Sequence, residues 1–337
     1  MLIPILLLAI GFVLLIKGGD WFVDGASGIA RRFNLPEILI GATVVSIGTT
    51  LPEVMVSAGA ALQGSGSIAY GNALGSIICN TALILALTVA IKPSAAARKS
   101  LILPVSFFFA AAAVYCVVAY ALGTFSRAVG IILLSIFVVY MVMTVLKMKN
   151  APAIENATES ELEAATGEDH VVESAADGTK DSLLKDIVLL VIGAAMIAFG
   201  ADLLVDNAII IAEQCGVSEK VIGLAIVALG TSLPELVTAI TALVKGHSSL
   251  SLGNIIGANL FNLVLVSGAA VTISPFALPE SGLIGGINSS LVLDIPVMLA
   301  VMLILTVPTL ISQKLHRWQG VLLLGIYAAF CTLQFII

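Results

Sequence analysis

Charge is scarce in this sequence of 337 residues, at 11% Asp, Glu, Lys and Arg against 59% hydrophobic residues. That balance excludes an ordinary soluble domain, in which charged residues make up roughly a quarter. Histidine is nearly absent, and His170, His247 and His316 lie far apart in linkers or at segment ends, which disfavours a transition-metal site. The four cysteines, Cys79, Cys116, Cys215 and Cys331, have spacings that suit neither a disulfide framework nor a zinc site. No HExxH motif, Ser/His arrangement or paired-Asp constellation is recognisable, so enzyme chemistry is not expected and no catalytic residue is assigned. The first apolar segment, Leu2 to Ile16, has no basic stretch before it and no small-residue cleavage site behind it, so it is expected to belong to the mature fold.

What the sequence has instead is long apolar runs. About 20 such residues cross a bilayer's hydrocarbon core. The breaks between runs predict an all-α membrane protein of ten transmembrane helices, near 2–30, 36–62, 68–91, 101–122, 127–147, 183–213, 218–244, 250–273, 287–311 and 318–336. With the N-terminus outside, twelve of the fifteen basic residues fall on the cytoplasmic side; Arg127 and Lys220 lie outside, and Lys17 lies within the first span. Both termini are then expected outside. The stretch 148–182 carries nine carboxylates and almost no aromatics, and reads as an acidic cytoplasmic linker between halves 1–147 and 183–337. It lacks the fixed oxygen spacing of an EF-hand loop.

One stretch occurs twice. Residues 41–57 read GATVVSIGTTLPEVMVS and residues 223–239 read GLAIVALGTSLPELVTA. A constant offset of 182 pairs Asp20 and Asp24 with Asp202 and Asp206, Thr49, Pro52 and Glu53 with Thr231, Pro234 and Glu235, and Gly71, Asn72, Gly75 and Asn80 with Gly253, Asn254, Gly257 and Asn262. Five spans per half is an odd number, so the halves enter the membrane from opposite sides as inverted repeats, an arrangement suited to alternating access.

Proline at 52 and 234 removes a helical N–H and crowds the carbonyls of Gly48 and Gly230, so both helices are expected to kink or break there. Backbone of that kind at membrane depth is tolerated where it lines a cavity or binds a cation. Glu53 and Glu235 supply two negative charges beside it, and intramembrane carboxylates are usually functional. Carboxylates, amides and hydroxyls suit a hard cation such as Ca²⁺, and the hydroxyls of Thr49, Thr50, Thr231 and Ser232 also suit Na⁺; sulfur and imidazole are not expected in the site. The segments GNALGSIICN (71–80) and GNIIGANLFN (253–262) put Asn72, Ser76 and Asn80 on one helical face, and Asn254, Ala258 and Asn262 on another. Their glycine pairs allow close helix approach. Asn72 and Asn254 fit either cation contact or interhelical bonding. Asp20 and Asp24, with Lys17 placed to pair with Asp20, fit either a wet vestibule or a structural role, as do Asp202 and Asp206. Asp294 has no matching acid in the first half and is not assigned to the site.

These duplicated motifs, with the acidic linker between five-helix halves, resemble the cation/calcium exchanger superfamily, specifically prokaryotic sodium/calcium antiporters, over nearly the whole chain. The resemblance implies exchange of Na⁺ for Ca²⁺ by alternating access at one central site, with the long first and sixth spans sliding to switch access. It assigns cation binding to Thr49, Glu53, Ser76, Asn80, Thr231, Glu235 and Asn262, with the backbone carbonyls of Ser46 and Ala228; Glu53, Glu235, Thr49 and Thr231 hold the metal ion, and Thr50, Ser232, Asn72 and Asn254 are secondary candidates. Ala258 departs from a serine found in many members, and Asn262 from an aspartate found in some. No cofactor, nucleic acid or obligatory protein partner is implied beyond Ca²⁺, Na⁺ and the lipid bilayer of a prokaryotic plasma membrane. Proton/calcium exchange on the same glutamates is the alternative, with an ion channel behind it.

Overall fold

Apolar runs bounded by basic residues, glycine and proline become helices. The computed structural model describes residues 2–150, 183–215, 230–279 and 283–336. The helices are α1 (Leu2–Arg32), α2 (Glu37–Leu62), α3 (Gly66–Ile91), α4 (Arg98–Leu122), α5 (Arg127–Asn150), α6 (Leu183–Gln214), α7 (Leu233–Val244), α8 (Ser248–Ile273), α9 (Ser290–Ser312) and α10 (Arg317–Ile336). Eight of these, α1 to α6 with α8 and α9, are long and apolar enough to cross a membrane, and they match eight of the expected spans within a few residues. α7 covers 12 residues and starts after a turn at Thr231 and Ser232; residues 216–229, where the seventh span was expected to begin, lie outside the described residues, as does most of the acidic linker.

α8 is the centre of the molecule. Every residue from Ser248 to Phe261 is buried, although the stretch holds three serines and two asparagines. Small residues explain how it fits: a Cβ on Gly253 would lie 2.2 Å from the Ile38 carbonyl oxygen, and one on Gly257 would lie 2.3 Å from Ser46 Oγ, so α2 lies directly on α8. Aromatic rings fill the space beyond, where Tyr70, Tyr115 and Phe125 pack together and Phe261 meets Phe137 and Tyr140 edge-on.

α1 and α6 form an antiparallel pair on one flank. Their contact runs along glycine: Gly11 meets Gly200, and Gly18 meets Gly193, each backbone too close for a side chain between them. Their opposite faces expose Ile5, Leu6, Phe12, Val13 and Ile16 on α1 and Val191, Ile192 and Phe199 on α6, the apolar surface expected against lipid.

The C-terminal half of α1 and the start of α2 hold polar contacts that local sequence did not indicate. Lys245, just past α7, reaches Asp24 at 2.8 Å and Asp20 at 3.4 Å, so the expected partner Lys17 is replaced by a lysine on another element. Arg32 contacts Asp186 of α6 at 3.3 Å, and His247 meets Glu37 at 2.7 Å. The polar contacts of Lys245 tie the C-terminal half of α1 to the end of α7 and offset the repulsion between Asp20 and Asp24.

Candidate functional site

The two proline segments differ in backbone. In α2 a π-helical turn spans Gly41–Val45, and an α-helix then runs unbroken from Ser46 to Leu62 with Pro52 inside it. The expected break at Pro52 is therefore absent. The missing N–H still deprives the Gly48 carbonyl of its helical donor, and the helix continues through it. In the second copy the chain turns through Thr231 and Ser232, and α7 starts at Leu233 with Pro234 in its first turn. There the missing N–H costs nothing, since first-turn donors have no intrahelical partner.

Glu53 and Glu235 are wholly buried and are polar neighbours of one another, and Thr49 borders Glu235. Among the described residues neither carboxyl has a hydrogen-bond partner at bonding geometry. The same is true of Thr50 Oγ1, Ser232 Oγ, and both amide atoms of Asn80 and of Asn262. One unsatisfied buried polar group costs about 1–3 kcal/mol, and native proteins carry few. So many on matched residues of α2, α3, α7 and α8 form a donor set for a ligand that prefers oxygen. Two carboxylates with neutral hydroxyl and amide oxygens fit a hard cation.

Asn80 and Asn262 each begin a π-helical turn, Asn80–Leu85 in α3 and Asn262–Val266 in α8. Such turns occur often at functional sites, because the extra residue re-aims side chains and backbone. Ser267 closes the second of these by donating to the Asn262 carbonyl at 3.0 Å.

A second set of residues positions the first. Ser46 Oγ lies 2.7 Å from the Gly41 carbonyl and 2.9 Å from that of Asn254, and Thr49 Oγ1 donates to Asn254 Oδ1 at 3.2 Å; together they join α2 to α8. Asn72 donates to Ser57 Oγ at 2.9 Å and to the Glu53 carbonyl at 3.3 Å, joining α3 to α2. Asn72 and Asn254 thus take part in interhelical bonds. Ser76 is buried and Thr231 half-buried, while Ala228 lies outside the described residues. A narrow crevice runs beside Thr49, lined by Gly48, Pro52 and Pro234 and walled by Phe22 of α1 and Ala194, Ile197 and Ala198 of α6.

One residue near this region escaped the sequence reading. Asn259 donates to Thr81 Oγ1 at 2.6 Å and lies 3.3 Å from Met302 Sδ, and its own Oδ1 has no partner. Its polarity inside an apolar run was the available signal. Cys79, the residue before Asn80, is buried, and the Tyr327 hydroxyl of α10 donates to its Sγ at 3.8 Å. Asp294 accepts from Gln334 at 2.7 Å and from Ser290 at 3.2 Å, apart from the paired glutamates.

The family model described as sodium/calcium exchanger protein matches residues 3–146 and 185–336. The chain belongs to the sodium/calcium exchanger family. It is accordingly a membrane exchanger and not an enzyme. Sodium/calcium exchanger MaX1 of Methanosarcina acetivorans is 32% identical, with 98% of each chain covered. An uncharacterized membrane protein of Methanocaldococcus jannaschii is 33% identical over 94% of this exchanger and 93% of its own length. Among solved structures, the sodium-calcium exchanger NCX_Mj soaked with zero Na⁺ and Ca²⁺ superposes with a TM-score of 0.76 at 31% identity, covering 97% of both chains.

Proposed function

We propose that this exchanger carries Na⁺ and Ca²⁺ in opposite directions through one site built by Glu53, Glu235, Thr49, Thr231, Ser76, Asn80 and Asn262, with the Ser46 and Ala228 carbonyls. The observation that carries the reading is the neighbouring pair of buried glutamates, without hydrogen-bond partners among the described residues and accompanied by hydroxyls and amides in the same condition. Two carboxylates neutralise one Ca²⁺; the surrounding neutral oxygens let Na⁺ ions occupy the same space instead. Occupancy by one ion or the other, but not both, is what couples the two fluxes, since each ion stabilises the states able to occlude it.

Ten spans in two inverted halves, 1–147 and 183–337, with 148–182 as the linker between them, account for a reciprocity in the contacts. The offset of 182 converts Gly11 into Gly193 and Gly18 into Gly200, and Gly11 packs on Gly200 while Gly18 packs on Gly193. A pair of contacts that exchange under the repeat is what a pseudo-twofold axis between α1 and α6 requires. The basic residues favour termini outside and the linker in the cytoplasm of a prokaryotic cell.

The test is ⁴⁵Ca²⁺ uptake into proteoliposomes loaded with Na⁺ and diluted into Na⁺-free buffer. Uptake is expected with the outward Na⁺ gradient and not with a pH gradient alone. Glu53→Gln removes one charge at nearly constant volume and should lower uptake to that of protein-free liposomes. Uptake driven by the pH gradient would move the coupling ion to H⁺, and normal exchange in the Gln variant would remove Glu53 from the site.

A further inference from the structure

The turn after α7 repeats the turn after α2. Lys245 and Gln63 are related by the offset of 182, and each caps its helix at nearly the same backbone angles, φ −79° and ψ −1° against φ −86° and ψ 4°. A glycine with positive φ follows each, Gly246 and Gly64, and the next amide returns to the helix, His247 to the Ala242 carbonyl at 2.7 Å and Ser65 to that of Ala60 at 2.8 Å. The two side chains thus leave matching frames, but their surroundings differ. Lys245 Nζ donates to the Asp20 carbonyl at 3.0 Å and pairs with Asp24 Oδ1 at 2.8 Å and Asp20 Oδ1 at 3.4 Å. Beside it, a Cβ on Gly19 would lie 2.8 Å from both Thr241 Oγ1 and Val237 Cγ1, so α1 is closed down on α7. The offset maps Asp20 and Asp24 to Asp202 and Asp206 of α6, and Val237 and Thr241 to Met55 and Gly59 of α2. Those counterparts stand open: Met55 is 73% exposed, no described atom lies within 4 Å of the Cβ position of Gly59, and Gln63, Asp202 and Asp206 are exposed. Among the described residues no cation pairs with Asp202 or Asp206.

One contact is made and its repeat mate is open, which is the relation that a switch of access between inverted halves exchanges. We propose that Lys245 is a one-sided latch on that switch, a role that rests on the inverted-repeat, alternating-access reading above. It holds α1 on α7 and closes the end of the ion path that is cytoplasmic in the orientation proposed above. When that end opens, α6 closes on α2 at the other end and brings Asp202 and Asp206 to Gln63, an amide with no charge to offer either of them. The latch therefore favours one state over its mirror and biases the exchanger toward facing outward. Ion pairs whose side chains are a quarter to half exposed supply a bias of up to about fivefold. That is enough to set which face samples ions more often without locking the cycle.

Lys245→Gln and Gln63→Lys test the latch, singly and together, in oriented vesicles where apparent Ca²⁺ affinity is read from each side. The ratio of the two affinities follows the ratio of the two states. Lys245→Gln removes the existing latch and Gln63→Lys builds its mirror image, so each should shift the ratio in favour of the cytoplasmic side by about threefold, and the double variant by about tenfold. Lys245→Arg keeps the charge and should keep the ratio. A second measurement needs no transport. With the four native cysteines replaced by alanine, Thr241→Cys is labelled by a membrane-impermeant maleimide applied from the cytoplasmic side, and adding Gln63→Lys at the far end of the path should raise the labelling rate about twofold. Unchanged affinity ratios in both single variants would overturn the latch, as would opposite shifts from the two, or a labelling rate indifferent to Gln63→Lys. Vesicles that take up no Ca²⁺ on a Na⁺ gradient would count against sodium/calcium exchange alone, because the labelling judges the latch independently.

Discussion

Replacing Gly257 by alanine tests whether contact between α2 and α8 sets the geometry of the ion site. The new Cβ would stand 2.3 Å from Ser46 Oγ, 2.6 Å from Ala42 Cα and 2.8 Å from the Ala42 carbonyl oxygen. Two of those three atoms are backbone and cannot rotate away, so reaching ordinary van der Waals separation needs a retreat of about 1 Å by one helix. Ala42 is also pinned from the far side, where Tyr140 donates to its carbonyl at 2.8 Å. Overpacking of this kind costs about 1–3 kcal/mol, and the displacement carries Ser46, Thr49 and Glu53 with it. The expected result is a lower thermal midpoint in detergent and a Ca²⁺ KM raised by about tenfold, since misplacing a binding group by 1 Å costs one to two powers of ten. Gly59→Ala on α2 is the control: no described atom lies within 4 Å of its Cβ position, so it should leave transport intact and add about 0.5–1 kcal/mol of stability. A Gly257→Ala protein with unchanged midpoint and KM would refute the claim that this contact sets the site.

If Asn262 shares the proposed site, Asn262→Asp adds a third carboxyl to Glu53 and Glu235. Three like charges there cannot all ionise without a cation, so Ca²⁺ uptake should fall more steeply than in the unmodified chain as the buffer goes from mildly alkaline to mildly acidic; parallel pH profiles would contradict this. Lys245→Gln removes the ion pairs to Asp20 and Asp24. With side chains a quarter to half exposed, the loss should stay within about 1 kcal/mol, and a larger drop in unfolding midpoint would mean that this clamp holds α1 far more firmly than its exposure indicates.

Most of the helices were legible in the sequence because hydropathy is a local property, and the paired motifs because duplication leaves a constant offset. Contacts between distant elements were not. Lys17 stands three residues from Asp20, yet Lys245 takes that carboxylate from 225 positions away, because the end of α7 lies beside α1. Proline chemistry predicted a kink or a break at residue 52; there is no break, because the cost of one missing hydrogen bond is outweighed by packing along the rest of α2. The π-helical turns at Asn80 and Asn262 carry no local signature at all. The Tyr327 hydroxyl likewise reaches Cys79 from 248 positions away.

The halves match in sequence at Gly-Thr-Thr/Ser-Leu-Pro-Glu but not in backbone, so the cause must lie in residues that do not match or in the side to which the site faces. Phe22 separates these causes. Its ring stands 3.0 Å from the Cβ position of Gly48 and lines the crevice beside Thr49 and Pro52, whereas the offset puts Leu204 at the matching place and gives Gly230 a contact with Val205 instead. If the ring braces α2 across Pro52, Phe22→Leu releases the brace at a cost of about 1–2 kcal/mol of buried contact in this state alone. A loss confined to one of two states shifts their equilibrium about tenfold. Apparent Ca²⁺ affinity should then rise measured from one side of the membrane and fall measured from the other, in oriented vesicles. Equal changes on both sides would mean that Phe22 acts on the site itself, and that the difference between the two proline segments reflects the direction the exchanger faces.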